Sequence, residues 1–372
     1  MADPLVQKQL NISQRVFLAL SANATSDGFN EWKTSGHTPE DLFDDVEKQG
    51  SPEAWRQLCA KLSSLADEDL ALFSHELEHF HNPKLISCRA PLLHRLEAHW
   101  AASALELKLM HHPLKTSDED GDGAIVDDGD GDAPSLASEI RIVDAKGGEV
   151  LHDGGLKRTT KTQQGEIALT FDDGPHPTRT ERILKTLAAS GVRATFFEVG
   201  EMAKRFPKLS RAVLDAGHSV GSHSYNHPQL PKLAFGNGVC DPKLMPRLAY
   251  GRSDCNILWG HEAVMAATGV EMPFFRFPYG YASKTLQAFV KKHEIATFFW
   301  NMDSLDWKIR NPVALLQNVI RELDREKGGI ILFHDIQEQT AIVLPHVLEE
   351  IKKRGMTTVL FVPKQDETAP RP

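Results

Sequence analysis

The 372-residue sequence predicts an α/β fold, with a parallel sheet or barrel, behind a small helical region. Three observations carry this. Apolar residues recur at three- and four-residue spacing through residues 5–111, with no strand-like alternation. An Asp/Gly stretch, TSDEDGDGAIVDDGDGDAPS at 116–135, then changes the composition sharply. From residue 165 apolar runs alternate with amphipathic segments of helical length, the signature of parallel β/α units.

In the first region WRQLCAKLSSLA, DLALFSHELEHFH and LLHRLEAHWAASALELKLM read as helices. Ser51 before Pro52 and Glu53 is a good helix start, and Asp67 can begin the next helix. Residues 1–115 are therefore expected to form a helical accessory domain. The stretch 116–135 is an acidic linker or a calcium loop. Asp118, Asp120 and Asp122 fit the opening of an EF-hand loop, but position twelve is Gly129 instead of Glu. Asp128, Asp130 and Asp132 repeat the spacing, and the two sets together offer enough oxygens for Ca²⁺. A solvated linker is the plainer reading of such a charge run. In 136–154, Ile140, Ile142 and Val150 flank a Lys146-Gly147-Gly148 turn, which predicts a β-hairpin leading into the α/β domain at 155–372. There EIALTF, ATFFEVG, HSVGSHS, IATFFW, GIILFH and TTVLFV read as strands. RTERILKTLAAS, PKLSRAVLDAG, HEAVMAATG, SKTLQAFVKKH, PVALLQNVIRELDREK and VLPHVLEEIKKRG read as helices.

Composition narrows the function. The chain is 41% hydrophobic and 25% charged, ordinary for a globular protein with a full core. A net charge of −9 argues against a nucleic-acid partner, whose phosphates need clustered Lys and Arg. No apolar run is long enough to predict a transmembrane segment. The start, MADPLVQKQLNIS, lacks the basic and apolar regions of a signal peptide. Cys59 and Cys88 lie in the helical region, and Cys240 and Cys255 lie in one irregular stretch. Two disulfides are permitted, with Cys240–Cys255 the more favoured; two buried and two exposed thiols are the alternative.

Chemistry concentrates at strand ends, where α/β folds place their sites. EIALTF runs into Asp172 and Asp173, adjacent carboxylates that are costly beside a buried strand unless used. Neighbouring side chains of an extended segment point apart, so one can ligate a metal while the other faces substrate. His223 and His227 with Asp173 make a two-His, one-carboxylate set suited to Zn²⁺ or another divalent transition metal. Arg276 in FFRFPYG can hold a carboxylate, and its Pro-Tyr bend can present backbone N–H groups to an oxyanion. Asp306 in DSLDW can orient His334, which ends GIILFH, and raise its pKa.

TFDDGP, HSYNH, RFPYG, DSLDW and LFH, in this order over 170–334, resemble the five motifs of the polysaccharide deacetylases. This is carbohydrate esterase family four, the NodB-homology domain, and the resemblance covers roughly 155–365. It implies a distorted (β/α)7 barrel. It also implies Asp172 as general base, Asp173, His223 and His227 as metal ligands, and Arg276 as the residue orienting the base. By the same resemblance Tyr279 would supply an oxyanion N–H, Asp306 would tune His334 and Trp307 would wall the acetyl pocket. Leu332 would contact the acetyl methyl, and His334 would be the general acid. The expected activity is metal-dependent N-deacetylation of N-acetylglucosamine in a polysaccharide, with peptidoglycan favoured over chitin. A chitin or chitooligosaccharide deacetylase, an acetyl-xylan esterase and a catalytically silent carbohydrate-binding module are the alternatives. The expected location is periplasmic or secreted, a signal having been removed. The stretch 231–260, with Cys240, Cys255 and Tyr250, is longer than a barrel requires; it either walls the sugar groove or is a pinned surface loop.

One further motif competes. HELEH at 75–79 matches the H-E-x-x-H pattern of zinc proteases. His75 and His79 share a helix face, but the region has neither a third ligand in view nor a sheet edge to hold a peptide. A catalytic zinc is not expected there.

Overall fold

The computed structural model describes residues 43, 46–47, 52–79, 86–111, 138–145, 149–151, 162–236, 239–244 and 247–364. The candidate calcium aspartates, Asp118 to Asp132, lie outside them. The chain divides into two compact units, Met1–Leu105 and Glu106–Pro372.

The elements described in the first unit are helical: α1 (Pro52–Ser64), α2 (Asp67–Leu70), a short 3₁₀ turn (Ala71–Phe73), α3 (Ser74–His79) and most of α4 (Ile86–His111). Helix α1 starts on Pro52, whose missing N–H costs nothing there, and buries Ala54, Trp55, Leu58 and Leu62. A Cys59–Cys88 disulfide ties α1 to α4. Arg89 donates to the carbonyls of Leu77 and Glu78 in the last turn of α3. HELEH occupies α3. The side chains of His75, Glu76 and His79 lie outside the described residues.

The second unit is an α/β fold with a parallel sheet. Its strands are β1 (Glu139–Val143), β2 (Val150–Leu151), β3 (Glu166–Asp172), β4 (Thr195–Glu198) and β5 (Ser219–Ser222). β6 (Phe274–Phe275), β7 (Ala296–Phe298), β8 (Met302–Asp303), β9 (Gly329–His334) and β10 (Thr357–Pro363) follow. The order is β1-β10-β3-β4-β5-β6-β7-β2, and β9 pairs with both β3 and β8. Between them lie α5 (Arg179–Ala189), α6 (Gly200–Arg205), α7 (Pro207–Asp215), α8 (Arg247–Gly251) and α9 (Ser253–Thr268). α10 (Lys284–Lys292), α11 (Pro312–Glu326) and α12 (Glu338–Lys353) complete the set.

Local chemistry sets these boundaries. Ser283 and Asn311 accept the N–H groups of Leu286 and Ala314, capping α10 and α11. Gly269 and Lys327 end α9 and α11 in the left-handed region. β3 is buried at every position, as a strand covered on both faces must be. Phe197, Phe274, Phe298 and Phe361 pack with Leu151 and Val359 into a core beneath the strand ends.

The hairpin expected at 136–154 is corrected. β1 pairs in parallel with β10 and β2 in parallel with β7, at opposite ends of the strand order. Alternation and a Gly-Gly turn signal are local, whereas each strand's partner is decided by an available sheet edge. β1 and β2 cover the β10 and β7 edges, which would otherwise expose a ladder of backbone groups.

Candidate active site

The carboxyl ends of five strands converge. β3 and β9 are paired so that Asp172 lies directly across from His334. β5 and β6 pair at Ser222 and Phe275, so His223 and Arg276 leave the sheet side by side. β8 pairs with β9 through Asp303 and Leu332 and then delivers Asp306.

The turn after β3 separates two adjacent carboxylates. Asp173 takes a positive φ of 77°, and its N–H donates to the Phe197 carbonyl at 3.2 Å. This turns its side chain away from that of Asp172. Asp173, His223 and His227 each offer a ligand atom within 4.8 Å of the others. His227 Nε2 stands 3.3 Å from Asp173 Oδ1, and His223 Nε2 stands 3.6 Å from it. The Arg276 carbonyl accepts from His223 Nδ1 at 2.8 Å. That bond puts the proton on Nδ1 and leaves the Nε2 lone pair for a metal, the usual outer support of a metal-bound imidazole. Burial lowers the pKa of both histidines, which keeps the rings neutral and able to ligate. The donor set and its spacing fit a divalent transition metal.

Asp172 is buried beside this triad. The Arg276 guanidinium, itself 0% exposed, donates to Asp172 Oδ1 at 2.7 Å and to Thr170 Oγ1 at 2.8 Å. It lies 4.3 Å over the Phe197 ring. Burial pushes the Asp172 carboxyl up to about 6, against the pull of Arg276. Arg276 therefore serves two groups, Asp172 through its side chain and His223 through its backbone.

Opposite, His334 Nδ1 meets Asp306 Oδ1 at 2.6 Å, and the His334 N–H donates to Asp306 Oδ2 at 2.7 Å. Burial lowers the His334 pKa, but the Asp306 charge and hydrogen bond outweigh it and lift the imidazole to about 10. Its Nε2 faces the triad, 3.9 Å from Asp173 Oδ2. Tyr279, at φ 59°, places its ring 4.6 Å from that of His227. Tyr279 and Trp307 are 46% and 48% exposed, whereas Leu332 is buried.

Every candidate catalytic, metal and substrate residue named from the 170–334 motifs thus lies among these strand ends and the turns that follow them. Sequence reasoning missed several supporting residues. Thr340 on α12 donates to Asp306 Oδ2 at 2.6 Å, and Gln339 donates to the Asp306 carbonyl at 2.6 Å. Asp335 donates its N–H to the Asp172 carbonyl at 3.3 Å and accepts from Thr180 Oγ1 at 2.5 Å. Its carboxyl, pushed up to about 7 by burial, lies against Gly174, where an added Cβ would meet Oδ2 at 2.1 Å. Asp335 was findable as another strand-end carboxylate. Thr340 carries no local signal. A second cluster, Cys240, Asp254 and Cys255, has its sulfurs in a disulfide and its carboxylate on Arg252, so it offers no thiolate to a metal.

The polysaccharide deacetylase family model matches residues 159–298. A peptidoglycan-N-acetylglucosamine deacetylase of Listeria monocytogenes is 35% identical over 189 residues, 51% of this chain and 36% of that protein. The chain thus spans little more than a third of that relative's length. A peptidoglycan-N-acetylglucosamine deacetylase of Bacillus cereus is 30% identical over 194 residues, 51% of this chain and 83% of that protein. Among solved structures, a peptidoglycan deacetylase of Bdellovibrio bacteriovorus superposes with a TM-score of 0.71 at 27% identity, over 95% of this chain and 94% of that one. The chain belongs to the polysaccharide deacetylase family.

Proposed function

We propose that the protein is a metal-dependent hydrolase that removes N-acetyl groups from N-acetylglucosamine units of peptidoglycan. One observation carries the reading: a two-His, one-Asp donor set lies between a buried carboxylate and a carboxylate-paired imidazole. The relatives' substrates support peptidoglycan as the polymer. Strands β3 to β9 are read as the seven strands of a distorted (β/α)7 barrel, open between β7 and β8. The helical region, 1–115, is read as an accessory domain that positions the enzyme on its polymer. Two disulfides support work in an oxidising periplasmic or extracellular space. No described helix is long and apolar enough to cross a membrane.

Asp173, His223 and His227 would hold Zn²⁺ or a similar divalent metal. When bound, it supplies Lewis acidity to the acetyl carbonyl and to the attacking water. Asp172, ionised at neutral pH yet more basic than an ordinary aspartate, accepts the proton of that water. Arg276 holds Asp172 in place and keeps its charge tolerable in a buried setting. The Tyr279 backbone N–H is assigned to the developing oxyanion. As the C–N bond breaks, the His334 Nε2 proton passes to the departing amine, and Asp306 keeps the imidazolium charged beforehand. Leu332 and Trp307 bound the acetyl pocket. The products are acetate and a free amino sugar.

The test is acetate release from peptidoglycan, chitin oligomers and acetyl-xylan. Release is expected from peptidoglycan and is expected to fall by about 10²–10⁴-fold in Asp172→Asn. Release from acetyl-xylan alone, or from none of the three, would sink the proposal.

A further inference from the structure

Between β5 and β6 the chain makes a long excursion cross-linked by the Cys240–Cys255 disulfide. This excursion grips the HSYNH loop from behind. Tyr225, the middle residue of HSYNH, is buried against Cys255 and Trp259, with Cys240, Leu248 and Ala263 around it. Beside Cys255, the side chain of Asn256 is fully buried. Its Oδ1 accepts the Tyr225 N–H at 2.9 Å, and its Nδ2 donates to Asn226 Oδ1 at 2.6 Å. The loop needs such a hold, because Ser224 and His227 both sit at positive φ, 71° and 56°. The neighbouring backbone is held as well. The Gly200 and Glu201 N–H groups donate to the Ser224 and Tyr225 carbonyls, each at 2.9 Å. Helix α9 comes so close that a Cβ on Gly260 would lie 2.3 Å from the Ser224 carbonyl carbon.

His223 leaves one end of this loop and His227 occupies the other, so residues 224–226 set the distance between their rings. We propose that Asn256 is a positioning residue for the metal site, holding Tyr225 and Asn226 from the disulfide-anchored start of α9 so that His223 and His227 converge with Asp173. The inference rests on the reading of those three residues as the metal ligands. It assigns the 231–260 stretch a role as foundation for the metal loop.

The test uses the whole chain, stripped of metal. Zn²⁺ affinity is measured by chelator competition, and the visible spectrum of the Co²⁺-substituted protein reports ligand geometry. Asn256→Ala is expected to weaken Zn²⁺ binding about 10- to 100-fold, the range for outer-shell supports, and to alter the Co²⁺ spectrum. Asn256→Asp keeps an acceptor for the Tyr225 N–H but loses the donor to Asn226, and is expected to recover part of the affinity. Wild-type Zn²⁺ affinity and Co²⁺ spectrum in Asn256→Ala, whatever its melting temperature, overturn the role. Should that variant fail to fold, Asn226→Ala removes one of the two links at a half-buried position. Several-fold weaker Zn²⁺ binding supports the role there, and unchanged affinity overturns it. Wild-type protein that takes up no Zn²⁺ contradicts the metal triad itself, whereas normal wild-type uptake with unaltered variants contradicts Asn256 alone.

Discussion

HELEH and HSYNH place two histidines at the same spacing on opposite kinds of backbone. HELEH lies in helix α3, where residues four apart share a face simply because the helix repeats every 3.6 residues. HSYNH follows strand β5 through two residues at positive φ, so the nearness of its rings, 4.8 Å between centroids, is built by a specific loop. That loop ends beside a strand-end carboxylate, Asp173, and between Asp172 and His334. Spacing alone does not define a metal site. What defines it is the set of groups that the surrounding fold delivers to the pair.

The comparison breaks most visibly by deleting each pair in turn. His223→Ala is expected to abolish stoichiometric Zn²⁺ uptake and to cost more than about 100-fold in acetate release, beyond what outer-shell losses give. His75→Ala with His79→Ala is expected to leave both unchanged. Metal analysis and an acetate assay on the purified variants check this, and the opposite pattern would move the metal to α3. The candidate bases contrast in the same way. Asp172→Asn is expected to cost about 10²–10⁴-fold in kcat with metal content retained, while Glu76→Gln costs nothing. Next in size is the outer support of the acid. Asp306→Asn removes the charge that lifts His334, so the proton is lost at lower pH. The alkaline limb of the activity profile should therefore move to lower pH; an unmoved limb would detach His334 from the acid role. The smallest effect is expected at the rim. Trp307→Ala should raise KM several-fold with a smaller change in kcat, as steady-state kinetics would show.

How much of this was legible in the sequence follows from the range over which each feature is decided. The strand ends were legible because their residues come as short contiguous runs: Asp172 and Asp173 after EIALTF, His334 after GIILF. The convergence of those runs follows from parallel strands sharing one carboxyl edge. Partners of the outer strands were not legible. β1 and β2 look like a hairpin locally, yet their partners lie more than a hundred residues downstream, at Val359 and Thr297 among others. The Cys59–Cys88 link is not legible for a related reason: it joins two helices whose approach is set by packing. Thr340 and Asn256 were invisible because each acts through a single tertiary contact, on Asp306 and on Tyr225, that no local pattern encodes. Asp335 is visible in kind, as a carboxylate just past a strand end, but its contacts with Thr180 and Gly174 are tertiary.

The central claim, that a metal held by HSYNH and Asp173 drives N-deacetylation, meets its most direct test in one titration. Metal-stripped protein is mixed with peptidoglycan, and acetate release is followed as Zn²⁺ is added back. The account predicts no release before addition and a rise that saturates at one Zn²⁺ per chain, absent in His223→Ala. Release at full rate from the stripped protein, or saturation at one equivalent in His223→Ala, would contradict it.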